Sequence, residues 1–145
     1  MKKISISNII LFIVALLLLG GCLYFFNESR KPDNKIIIGI PANEERTDYG
    51  NPVNSKEDAN YIRLALMCSI SIDKPEISNK LPDATIRIDD ANEGVTYLFT
   101  DVWFDNDKVI FALGGKDSPY GTEYKETVGD LGKEIINYIS KYKPK

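Results

Sequence analysis

From Ile9 to Phe26 the chain carries no Asp, Glu, Lys or Arg, and residues 9 to 19 are all apolar. No water-exposed helix or strand of a small domain tolerates such a run, so this segment is set apart from whatever folds behind it. It follows Met1-Lys2-Lys3, which makes a basic n-region ahead of an apolar h-region, the pattern of an export signal. Leu19-Gly20-Gly21-Cys22 closes the h-region with two small residues before a cysteine. Two readings of this start stay open. In one, cleavage between Gly21 and Cys22 leaves Cys22 as an N-terminus whose thiol carries a diacylglyceryl group. In the other the segment is an uncleaved anchor, because Leu23-Tyr24-Phe25-Phe26 extends the apolar run to 18 residues, within the roughly 17–25 that span a bilayer. Either way the basic end stays at the cytoplasmic face and the remainder is expected outside. The expected organisation is a signal or anchor at 1–26, a polar spacer at 27–34 and one extracytoplasmic domain at 35–145.

Charge narrows the role of that domain. The chain has 18 basic and 21 acidic side chains, and setting aside Lys2 and Lys3 leaves 16 against 21. Interspersed charges of net about −5 exclude nucleic acid, which is bound through clustered Lys and Arg. Cys68 is the single cysteine after Cys22, so packing alone must hold the domain together.

Along the body, Lys35 to Pro41 reads as a strand with Ile36, Ile38 and Ile40 on one face and Ile37 on the other, the signature of a central strand. Ala42 to Asn54, with Gly50 and Pro52, reads as a long loop. Ser55 caps a helix running to about Ser69, with Asp58 three residues on. Ile62, Ala65 and Leu66 form its buried stripe, Leu64 and Met67 widen it, and Cys68 is a small packing residue at its edge. Pro75 and Pro82 bracket a polar connection. Thr85 to Asp89 alternates as a one-faced strand, and Asp90 to Gly94 is a turn without the spacing of a calcium loop. Val95 to Phe104 is the longest strand, Asp105-Asn106-Asp107 a tight hairpin, and Lys108 to Leu113 the return strand, released by Gly114-Gly115. Lys116 to Glu126 is a second polar loop with a few residues of edge strand near Tyr124. Thr127 to Asp130 opens a capped final helix, whose Gly129 and Gly132 give up helix stability for close approach to a strand. Lys141, Lys143 and Lys145 sit at its negative end.

The predicted order is βαβββα, an α+β two-layer sandwich: a mainly antiparallel sheet with two helices on one face, preceded by the N-terminal hydrophobic helix. The lipobox-like Leu19 to Cys22, the isoleucine strand, the helix Lys56 to Ser69, the aromatic hairpin Tyr97 to Phe111 and Tyr124 before a closing helix together resemble the YhfM-like small exported lipoproteins of low-GC Gram-positive bacteria. The resemblance implies an anchor and this layout, and it carries no catalytic residues.

The chain contains no histidine. Ser-His-Asp and Cys-His constellations, HExxH zinc sites and histidine bases are therefore excluded. Gly114-Gly115-Lys116-Asp117 lacks the spacing of a phosphate loop, and neither a metal nor a cofactor site is expected. Paired carboxylates could still serve a glycosidase, and the candidates are Asp89 with Asp90 and Asp105 with Asp107, all beside turns where Asp is favoured for backbone reasons. Asp101 is the unusual one. It shares a strand face with Tyr97, Phe99 and Trp103, so either a charge sits in the core or the face is open and the aromatics form a stripe. With Tyr120 and Tyr124, that stripe is the expected partner surface. The function these residues suggest is a membrane-anchored binding module for an envelope or extracellular protein, of inhibitor, immunity or exclusion type; the alternative is a carboxylate-dependent enzyme acting on cell-wall polymer.

Overall fold

The computed structural model describes residues 6–28 and 34–144, with side chains from 11 to 26 and from 34 onward. Lys2 and Lys3, residues 29–33 of the spacer, and Lys145 lie outside the described residues. The chain divides into two compact units, Met1–Lys31 and Pro32–Lys145.

The described residues of the first unit form one helix, α1 (Ile6–Glu28), with no acid in its first turn and no base in its last. Its apolar side chains, from Leu11 to Phe26, are exposed and occupy every face, since residues 11 to 19 are apolar without interruption. Among the described residues no helix is long and apolar enough to cross a membrane.

The second unit is α+β. Its elements are β1 (Asn34–Pro41), β2 (Thr47–Tyr49), β3 (Val53–Asn54), α2 (Lys56–Cys68), β4 (Ile70–Ile72), a 3-10 turn (Glu76–Asn79), β5 (Ala84–Asp90), β6 (Thr96–Asp105), β7 (Lys108–Leu113), β8 (Glu123–Glu126) and α3 (Leu131–Tyr142). The strands form one sheet in the order β2-β1-β5-β6-β7-β8-β4, with β3 pairing to β1, and each neighbouring pair is antiparallel. Three expectations change here. The loop predicted for 42–54 contains β2 and β3, both folded back on β1. The connection around Pro75 is preceded by β4 at the far edge of the sheet, and β8 is consequently an inner strand between β7 and β4 rather than an edge.

Alternation divides the sheet's side chains into two clusters. The larger joins Ile36, Ile38, Ile86, Ile88, Val102, Val109 and Phe111 to Ala59, Ile62, Ala65 and Leu66 of α2 and to Ile135 and Ile139 of α3. Each isoleucine buried there contributes on the order of 1.5–3 kcal/mol. The smaller cluster takes the alternate residues Trp103, Ile110 and Ala112 with Tyr124, packed against Ile72 and Ile77. The indole N–H of Trp103 donates to the Lys80 carbonyl at 3.2 Å, so the segment after the 3-10 turn seals that side.

The helices fold largely as their sequences require. The Ser55 hydroxyl accepts the Asp58 N–H at 3.1 Å and caps α2. Leu64 and Met67 do not join its buried stripe: Met67 is 79% exposed, Leu64 is also exposed, and Cys68 stands in solvent rather than in packing. At about 100° per residue they fall outside the arc that Ala59, Ile62, Ala65 and Leu66 turn to the sheet. α3 starts at Leu131 with no side-chain cap from Asp130. Thr127, expected to cap it, instead accepts the Val109 N–H at 2.9 Å and ties β7 to the chain ahead of α3. Gly132 does mark a close approach, for a Cβ there would stand 2.1 Å from the Asp107 carbonyl oxygen and 2.9 Å from Lys108 Cα.

Candidate functional site

Asp101 sits in the middle of β6, between Thr85 of β5 and Ala112 of β7 in register. Its side chain is 9% exposed, on the face opposite Val102 and Thr100. The Thr85 hydroxyl donates to Oδ1 at 3.0 Å, and the Lys116 backbone N–H donates to Oδ2 at 2.9 Å. A carboxylate offers about four acceptor positions, so these two donors satisfy half of them. Both donors are neutral, and among the described residues no ion pair reaches Asp101.

The loop that supplies Lys116 is shaped by glycine. Gly114 and Gly115 have φ of 81° and 87°, a region L side chains rarely enter. Their N–H groups donate to the carbonyls of Phe99 and Ala112 at 2.8 and 3.0 Å, which folds the chain back across β6. A Cβ at Gly115 would lie 2.9 Å from Phe99 Cε1 and 3.4 Å from Asp101 Oδ2. The absence of a side chain there lets the loop lie against the ring and the carboxylate. Thr122 Oγ1 donates to the Gly115 carbonyl at 2.9 Å and closes the loop on itself.

Thr85, Phe99 and Asp101 form the floor of an open cleft of about 310 Å³. Three segments wall it: Pro41 to Thr47, Leu81 with Pro82, and Gly114 to Pro119. The first is held by the Asn43 side chain, which accepts the N–H groups of Glu45 and Arg46 at 2.9 and 2.8 Å. The volume falls in the range of small-ligand sites, and the cleft combines mixed apolar and charged walls with a nine-tenths-buried carboxylate at its floor.

The five aromatic residues expected on one partner surface are separated. Trp103 is 1% exposed and Tyr124 is buried beside it in the smaller cluster. Both are withdrawn from the surface by Ile72 and Ile77, whose positions in the chain lie far from β6. Tyr97 is exposed but turned elsewhere. The pairing of β5 with β6 shifts between Ile88 and Asp89, so Tyr97 falls in a bulge. Its ring lies 5.4 Å from the Arg63 guanidinium of α2 and its hydroxyl donates to Asp90 Oδ2 at 2.7 Å. Phe99 is half-buried in the cleft floor. Tyr120 is 97% exposed, beside the cleft wall.

The paired carboxylates are occupied by local structure. Asp90 Oδ1 accepts the N–H groups of Asn92 and Glu93, at 2.6 and 2.8 Å. The Tyr97 hydroxyl, with those two amides, holds the Asp90 carboxyl below its ordinary range, and the same bond raises the Tyr97 phenol. Asp89 pairs with Arg87 at 2.9 Å and accepts from Thr96 at 2.8 Å. Asp105 accepts from the Asn106 side chain at 3.0 Å, while Asp107 pairs with Lys133 at 3.2 Å. Among the described residues no group of three or more His, Cys, Asp or Glu side chains is placed to hold a metal ion. Cys22 is exposed on α1 next to Gly21.

Asp101 and the two polar segments beside it stand out in the sequence; the part played by Leu81, Pro82 and Gly115 does not. The signal available was the Gly114-Gly115 pair, which marks a backbone reversal as well as the end of a strand. No family model, curated protein or solved structure matches the chain.

Proposed function

We propose that this chain is a lipid-anchored, extracytoplasmic interaction module: Cys22 carries the acyl group, and the cleft over Asp101 receives a segment of an envelope or extracellular protein. The body is read as a two-layer α+β sandwich of the YhfM-like kind, working as an inhibitor, immunity or exclusion factor. The observation that carries the binding reading is the cleft itself. Its floor is a rigid sheet centre, its walls are three loops, and loops on a rigid frame are where recognition residues concentrate. Tyr120 supports it, as an almost fully exposed aromatic residue next to the cleft, the residue class enriched at binding hot spots. The anchor reading is supported by Lys2 and Lys3, the uncharged run and Leu19-Gly20-Gly21-Cys22. Diacylation at Cys22 supplies the two chains that stable anchoring takes.

The carboxylate-enzyme alternative has less behind it, because the four turn carboxylates already serve ion pairs or hydrogen bonds close by. Two measurements test the proposal. In producing cells, a fatty-acid analogue should label the native chain and not Cys22→Ala; label persisting in the variant refutes lipidation there. The full chain, incubated with purified cell-wall polymer, should release no fragments, and cleavage would overturn the binding reading in favour of the enzyme.

A further inference from the structure

We propose that the cleft accepts a lysine side chain of the partner, its ammonium reaching Asp101 and its methylene stem lying against Phe99 and the prolines of the walls. This rests on the reading of the cleft as the partner's seat and adds the chemistry of what enters it. The first observation is the state of Asp101. A carboxylate taken nine-tenths out of water is stabilised by a counter-charge or by further donors, and Asp101 has two neutral donors and, among the described residues, no paired cation. A positive group would complement that charge, and the side open to receive one is the cleft that Asp101 lines.

The second observation is the charge of the walls. Glu44 and Asp117, both exposed, line the cleft with Asp101, against the single cation Lys116. Such a rim draws a cation in and turns an anion away. The third is the apolar lining. Pro41, Leu81, Pro82, Phe99 and Pro119 give a stem of methylenes something to cover while its charged head meets the floor. Lysine fits better than arginine. Each oxygen of Asp101 already accepts one donor, which interrupts the paired acceptors that a guanidinium fork uses, whereas an ammonium is a compact charge.

The test uses the full chain in detergent micelles, labelled with nitrogen-15, and three short capped peptides Gly-X-Gly in which X is lysine, norleucine or arginine. The lysine peptide should bind weakly, in the millimolar range typical of one small contact, and move the amide signals of Gly115 and Lys116. Norleucine, with nearly the same stem and no charge, should bind at least tenfold more weakly, and arginine should bind more weakly than lysine. E44Q and D117N change exposed side chains and leave Asp101 in place; each should weaken lysine binding about threefold, and added salt should weaken it further. Binding of norleucine or arginine as tight as lysine, shifts confined to amides away from the cleft, or indifference to both variants would overturn the proposal. If a photo-cross-linking benzophenone side chain placed at position 120 captures a partner in cells while lysine is not preferred, the ligand class fails and the seat stands. If the position 120 probe captures nothing, the seat itself fails.

Discussion

Asp101→Ala separates a carboxylate that organises the cleft from one that merely rests in it. In the folded chain its two oxygens hold the Thr85 hydroxyl, at 3.0 Å, and the Lys116 N–H, at 2.9 Å. Thr85 is 2% exposed and lies on the cleft floor, so water takes the place of the lost acceptor only by entering from the cleft. A hydrogen bond to a charged group contributes about 1.5–3 kcal/mol, and a stranded buried donor costs about 1–3 kcal/mol. The variant also relieves the cost of a desolvated charge, which offsets part of the loss. The net expectation is a destabilisation of about 2–3 kcal/mol. For a body of this size that is a fall in Tm of about 8–20 °C. Trp103 is the only tryptophan and lies two residues along the same strand face, so its fluorescence in urea reports this transition in the full chain. Thr85→Val, which removes one donor and keeps the shape, should cost about 1 kcal/mol or less. Effects below 0.5 kcal/mol for Asp101→Ala, on the scale of ordinary surface changes, would show that the carboxylate is solvated and the described bonds do not hold the loop.

Three further outcomes test the frame around the cleft. Gly132→Ala should destabilise by about 2 kcal/mol or more despite the better helix propensity of alanine, because its Cβ meets the Asp107 carbonyl; unchanged urea midpoints would refute the close approach of α3 to the β6–β7 hairpin. Burial, followed by the 2.5 Å bond to Glu134, pushes the Tyr61 phenol up to about 12 from 10.0. A raised folded value means the contribution is complete below about pH 10 and is lost as pH rises through about 12. The stability gap between the native chain and Tyr61→Phe should therefore hold up to pH 10 and shrink above it, and a gap unchanged at pH 12 would contradict the bond. Met67→Gln should alter stability by less than about 0.5 kcal/mol, whereas a loss of 2 kcal/mol would place Met67 in the core.

What was legible in the sequence follows from what periodicity can see. Ser55 with Asp58 marks the start of α2 because a cap is a local hydrogen bond, and Asn106, with φ of 56°, sits in the hairpin that Asp105-Asn106-Asp107 signals. The strands β2, β3 and β4 have three, two and three residues, too few for a period of two to show. Alternation correctly put Asp101 and Trp103 on one face, but which parts of that face are covered depends on Ile72 and Ile77 arriving from the opposite edge of the sheet. Hence Trp103 and Tyr124 are buried while Phe99 and Asp101, on neighbouring ground, line the cleft. The bulge opposite Asp89 left no composition signal, and it moved Tyr97 out of the aromatic row.

Site-resolved photo-cross-linking in cells tests the central claim most directly. A benzophenone side chain would be placed in turn at Glu44 and Tyr120, beside the cleft, and at Met67, an exposed position on α2. The expected result is one cross-linked product common to positions 44 and 120 and absent from 67. Products from 67 alone, or of equal yield from all three positions, would contradict a partner seated over Asp101.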